Sequence, residues 1–63
     1  MELEINVFSK HYKCYCVEQI GRAKGTRYKA YGDFEGQPLS AQGPGPKAAI
    51  NKLKRKAEIA LDY

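Results

Sequence analysis

Leu3, Ile5 and Val7 alternate with Glu2, Glu4 and Asn6. A period of two puts every second side chain on one face of an extended segment, so residues 2–7 read as a half-buried strand. Ser9-Lys10-His11 follows as a turn. Tyr12 to Ile20 is rich in Tyr, Cys and Val and reads as a second strand. A loop with a glycine near each end, Gly21 to Thr26, leads into a third strand from Arg27 to Phe34. Gly32 inside that strand predicts a bulge or bend, because glycine weakens a regular ladder. Glu35-Gly36 predicts a tight hairpin turn. Gln37 to Gln42 is short and contains Pro38, which has no N–H to give, so it is expected at a sheet edge or a strand end.

The period then changes. Gly43-Pro44-Gly45-Pro46 breaks the strand, and Gly45 before Pro46 fits a helix whose first residue is proline. Ile50, Leu53, Ala57 and Leu61 recur at spacings of 3, 4 and 4, one apolar stripe of an amphipathic helix ending near Leu61, with Ala49 and Ala60 on its flank. The expected architecture is α+β: a three- to four-stranded antiparallel sheet packed against one C-terminal α-helix, in a single small domain over residues 1–63. One helix covers one sheet face. Tyr12, Cys14 and Cys16, with Tyr28 and Ala30, share the parity expected beneath it. Lys13, Tyr15 and Val17, with Arg27, Lys29 and Tyr31, share the parity of the open face.

With 63 residues there is room for a core but none for a deep cofactor cavity beside it. No apolar run nears the ~20 residues of a membrane span, and the N-terminus lacks the basic and apolar regions of a signal peptide. A cytoplasmic protein with reduced thiols is therefore expected. His11, Cys14 and Cys16 are too few for a zinc site, and Cys14 and Cys16, two apart in a strand, read as buried small hydrophobes. His11 has no nucleophile or acid placed near it by spacing, so neither an enzyme nor a cofactor is expected.

Charge gives the positive signal. The chain has 11 Lys and Arg against 7 Asp and Glu, a net +4. Arg22, Lys24, Arg27 and Lys29 form one basic stretch; Lys47, Lys52, Lys54, Arg55 and Lys56 form another. Clustered positive charge fits a nucleic-acid or acidic-protein partner. Around the helix, Lys47 and Lys54 share a flank with Asn51, while Lys52, Arg55 and Lys56 lie on the outer side. The candidate nucleic-acid-binding residues are Arg22, Lys24, Arg27, Lys29, Lys47, Lys54 and Arg55 for phosphates, with Tyr31 able to stack on an unpaired base.

Residues 17–61 resemble the C-terminal part of a double-stranded-RNA-binding domain. Gly21, Tyr28, Gly36 and Lys47 hold the spacing of that family's loop glycine, second-strand aromatic, hairpin glycine and phosphate-contacting helix lysine. Gly21-Arg22-Ala23-Lys24 replaces the family's Gly-Pro-x-His, and a β-like segment stands where its first helix would be. A second likeness is to HicB-like antitoxins: Asp33-Phe34-Glu35-Gly36 is similar to their Asp-Leu-Pro-Gly, and Gly43-Pro44-Gly45 with Ala49 to their helix opening. Both resemblances imply a small antiparallel sheet backed by a C-terminal helix. The first implies RNA as partner. The second implies an antitoxin, with a toxin as its protein partner. The expectation carried forward is a basic module binding RNA or DNA, RNA by preference; the alternative is a protein-binding regulator such as an antitoxin or a phage-encoded inhibitor, with a protein partner such as a toxin or nuclease. A homodimer paired through the first strand is a further expectation.

Overall fold

The computed structural model describes residues 2–21 and 23–62. Four strands, β1 (Glu2–Val7), β2 (Lys10–Glu18), β3 (Tyr28–Phe34) and β4 (Gln37–Gly43), form one antiparallel sheet in the order β1-β2-β3-β4, and a single α-helix, α1 (Pro46–Ala60), follows. This is the α+β sheet-plus-helix architecture expected from the two periods. Pro38 lies on β4, an edge strand, where its missing N–H leaves fewer ladder bonds unmade.

The helix starts where the Gly-Pro alternation places it. Gly45 is the N-cap, Pro46 occupies the first turn, and the Ala49 N–H donates to the Gly45 carbonyl at 3.0 Å. Ala49, Leu53, Ala57 and Leu61 are buried and Ile50 is half-buried, so Ala49 belongs to the centre of the stripe rather than its flank. This stripe meets Ile5, Val7, Cys14, Ala30, Phe34 and Ala41 on one sheet face. The helix lies chiefly across β4 and β3, less over β1 and β2. Among the described residues no polar or charged side chain is buried, so the core is held by apolar area alone.

Cys14 and Cys16 are buried thiols outside any disulfide. Burial, with Cys16 adding a smaller effect, pushes the Cys14 thiol above its ordinary range; the neutral form persists and the sulfur acts as a packing atom. His11 pairs with Asn6 on the opposite face, so the imidazole points away from both thiols.

Two local expectations change. The ladder runs without interruption through Gly32, paired with Cys14 on one side and Leu39 on the other. There is no bulge. Glycine is needed there because a Cβ would sit 2.9 Å from the Lys13 carbonyl oxygen and 3.3 Å from the Phe34 ring, which covers the position. The first turn also differs. Val7 pairs with Lys10, leaving Phe8 and Ser9 as a two-residue hairpin loop with φ of 51° and 67°. Two positive φ values are the signature of a type I′ turn, which favours Asn-Gly. Phe8 is a poor fit to that conformation and its side chain is 59% exposed. Replacing the pair by Asn-Gly (Phe8→Asn with Ser9→Gly) is expected to relieve about 1–2 kcal/mol of backbone strain, raising Tm by roughly 4–16 °C in a circular-dichroism melt. A lowered Tm would show that the Phe8 ring contributes more than its backbone costs.

Candidate nucleic-acid interface

The open sheet face carries a row of aligned side chains. Glu2 pairs with Tyr15, Tyr15 with Tyr31 and Tyr31 with Ser40. The Tyr15 and Tyr31 rings stack with centroids 5.5 Å apart, and Lys29 Nζ lies 6.0 Å from the Tyr31 centroid. Beside them, Pro38, Leu39 and Ser40 of β4 and Gly32 and Asp33 of β3 complete a shallow concavity. Near β1, Glu2 meets Lys13 at 3.7 Å and Glu4 lies 3.4 Å from His11 Nδ1, all exposed. Such pairs contribute little stability. Two glutamates against one lysine leave this half of the face without an excess of positive charge.

The positive charge collects on the other side of β4. Gln19, Ala23, Thr26 and Arg27, between β2 and β3, are hydrogen-bonded to one another. Gln19 N–H donates to the Arg27 carbonyl at 2.6 Å, Gln19 Nε2 to the Thr26 carbonyl at 3.0 Å, and Thr26 N–H to the Ala23 carbonyl at 3.0 Å. These bonds hold a single 3-10 turn, Lys24–Thr26, against the end of β4. There Gly25 and Thr26, Ala41 and Gln42, and Lys52, Arg55, Lys56 and Ile59 of the helix line one groove. Lys24 and Arg27, both exposed, belong to the same short segment.

The candidate residues thus fall on three surfaces. Arg55 lines the loop–helix groove; Lys24 and Arg27 adjoin its lining residues Gly25 and Thr26 in sequence, and Arg27, expected on the third strand, instead ends the 3-10 turn. Lys29 and Tyr31 belong to the open sheet face. Lys47 and Lys54 are exposed on the helix, and at ~100° per residue they lie on the flank opposite Lys52 and Lys56, so the loop and those two lysines do not share one site. Arg22 lies outside the described residues. Sequence reasoning left out Lys52, Thr26 and Gln42. Lys52 stood in the outer basic set, but which flank meets the loop depends on how the helix crosses the sheet.

Lys56 has a structural task. Its Nζ donates to the Ser40 carbonyl at 2.7 Å, occupying an acceptor of edge strand β4. A lysine across an edge strand blunts pairing with another chain. Lys56→Ala is expected to cost about 1 kcal/mol and to raise self-association, read by sedimentation. A variant of unchanged stability and mass would remove the guard role.

Among the described residues no group of three or more His, Cys, Asp or Glu side chains is placed to hold a metal ion, and no helix is long and apolar enough to cross a membrane. Compared with known proteins, the chain matches no family, no curated sequence and no solved structure.

Proposed function

We propose that the protein is a nucleic-acid-binding module, for RNA in preference to DNA, that grips phosphates in the groove between the Lys24–Thr26 turn, the β4 edge and the helix. The observation that carries this reading is the meeting of two segments far apart in sequence: Gly25, Thr26 and Gln42 line one groove with Lys52, Arg55 and Lys56 of the helix, and the exposed Lys24 and Arg27 adjoin the groove in sequence. Guanidinium and ammonium groups supply the charge, Thr and Gln supply neutral hydrogen bonds, and together these fix a backbone without reading its sequence. The resemblance of residues 17–61 to an RNA-binding domain points the same way, although its helix-start lysine corresponds to Lys47, on the other flank.

The groove's lining offers positive charge and hydrogen bonds, so binding is the assigned role. The test is a fluorescence-anisotropy titration of labelled RNA over a range of salt. Three or four phosphate contacts predict a log K against log salt slope of about −2 to −3 on single strands. Absence of binding to RNA and DNA at low salt would sink the proposal.

A second reading, a protein-binding regulator, draws on Ile20 and Ile59, which are 96% and 72% exposed. Ile59 lines the basic groove itself, where an acidic partner carrying an apolar anchor would fit. Co-purification of one stoichiometric protein that survives nuclease treatment would favour it over the first.

A further inference from the structure

Two features of the molecule meet at the β4 edge. The basic groove reaches that edge at Gln42, and the aromatic concavity reaches it at Ser40. Gln42 is paired with Lys29, and Lys29 sits beside the Tyr31 ring. Positive and hydrogen-bonding groups therefore run from the helix flank, round the strand edge, to the stacked tyrosines. We infer that this is one track for a single-stranded nucleic acid, with phosphates in the groove and a base stacked on the Tyr15–Tyr31 pair. The inference rests on the nucleic-acid reading and narrows it to a substrate class.

Phosphates on one side of an edge strand and an aromatic platform on the other can be joined only by a chain that bends sharply at that edge. A duplex, with a persistence length of about 150 base pairs, does not bend this way. It also keeps its bases paired and stacked, out of reach of Tyr31, whereas a single strand can splay a base onto a ring. Tyr15 and Tyr31 are each 40% exposed although they stack on one another, so their ring surface remains available. Asp33, which also lines the concavity, would repel a phosphate. Its Oδ1 accepts the Gly36 N–H at 3.0 Å, directing the carboxylate toward the hairpin turn. The backbone of the ligand is thus confined to the Lys29–Gln42 side, and the aromatic end receives a base.

The experiment compares a labelled single-stranded RNA of about ten nucleotides with its duplex, using the whole chain and three variants. The wild type is expected to prefer the single strand. Tyr31→Leu should weaken single-strand binding about 5- to 150-fold, the range of one lost base stack, while leaving the salt slope unchanged. Tyr31→Phe should restore it. Equal or tighter binding of the duplex, or a Tyr31→Leu variant with unimpaired single-strand affinity, overturns the track. If in that case Lys52→Glu with Arg55→Glu still abolishes binding, the phosphate groove stands without it. If no form of the protein binds either probe, the nucleic-acid reading itself fails.

Discussion

Phe34→Ala is expected to leave the chain unfolded at room temperature. Phe34 is fully buried, its ring lies 5.3 Å from that of Tyr12 at a tilt of 51°, and it covers the space left open at Gly32. Truncating a buried phenylalanine costs about 3–5 kcal/mol, from lost transfer energy and from the cavity left behind. A chain of 63 residues has in all about 3–9 kcal/mol to lose. The core offers no reserve, because it rests on a few residues and four of those on the helix stripe or under it are alanines: Ala30, Ala41, Ala49 and Ala57. Gly43→Val should be comparably damaging for a different reason. Any Cβ at Gly43 would lie 2.8 Å from the Ala49 backbone nitrogen, and backbone cannot turn aside as a side chain can. The first turn of the helix would have to lift from β4. Circular dichroism and urea titration read both variants. A Phe34→Ala chain that melts cooperatively with less than about 1 kcal/mol lost would contradict this account of the core.

These same residues mark how far the sequence reveals the fold. The two sheet faces follow directly from parity, because alternation is a property of each strand alone. The helix start is equally local, since Gly45 and Pro46 act on neighbouring backbone. Gly32 is not local. Its glycine is required by the Lys13 backbone across the ladder and by the Phe34 ring two residues on, neither of which a propensity can register. The Phe8–Ser9 turn escapes for the opposite reason: phenylalanine gives no sign of a positive φ, and the turn is imposed by the pairing of Val7 with Lys10. The candidate site is mixed. Its basic segments are plain in the sequence, and a helical wheel correctly separates Lys47 and Lys54 from Lys52 and Lys56. What the wheel lacks is the helix's position over β4, and that position decides which flank faces the Lys24–Thr26 turn.

Reversing the charge of that flank should have the largest effect on function. Lys52→Glu with Arg55→Glu removes two of the proposed phosphate contacts and sets two carboxylates in their place. Each phosphate contact on a single strand contributes about 0.7 to the salt slope. Over the roughly 1.3 decades between 1 M and 50 mM salt, two contacts amount to about a 60-fold change in affinity. Repulsion by the new carboxylates adds to it. Both side chains are exposed, so stability should change by no more than about 0.5 kcal/mol, and lost binding would not reflect lost structure. The matching control is Lys47→Glu with Lys54→Glu on the opposite flank. It alters the net charge equally and is expected to weaken binding only through the long-range field, which salt screens within about 10 Å at 0.1 M. Equal losses from the two pairs would mean that net charge alone attracts the ligand and that no groove exists.

The location of the ligand is the central claim, and amide chemical-shift mapping of the 15N-labelled protein with a single-stranded RNA of about ten nucleotides tests it most directly. The account predicts perturbations at Gly25, Thr26, Gln42, Lys52 and Arg55, continuing to Lys29 and Tyr31. Perturbations confined to β1, to the Phe8–Ser9 turn or to the Lys47–Lys54 flank, with the groove amides unmoved, would contradict it.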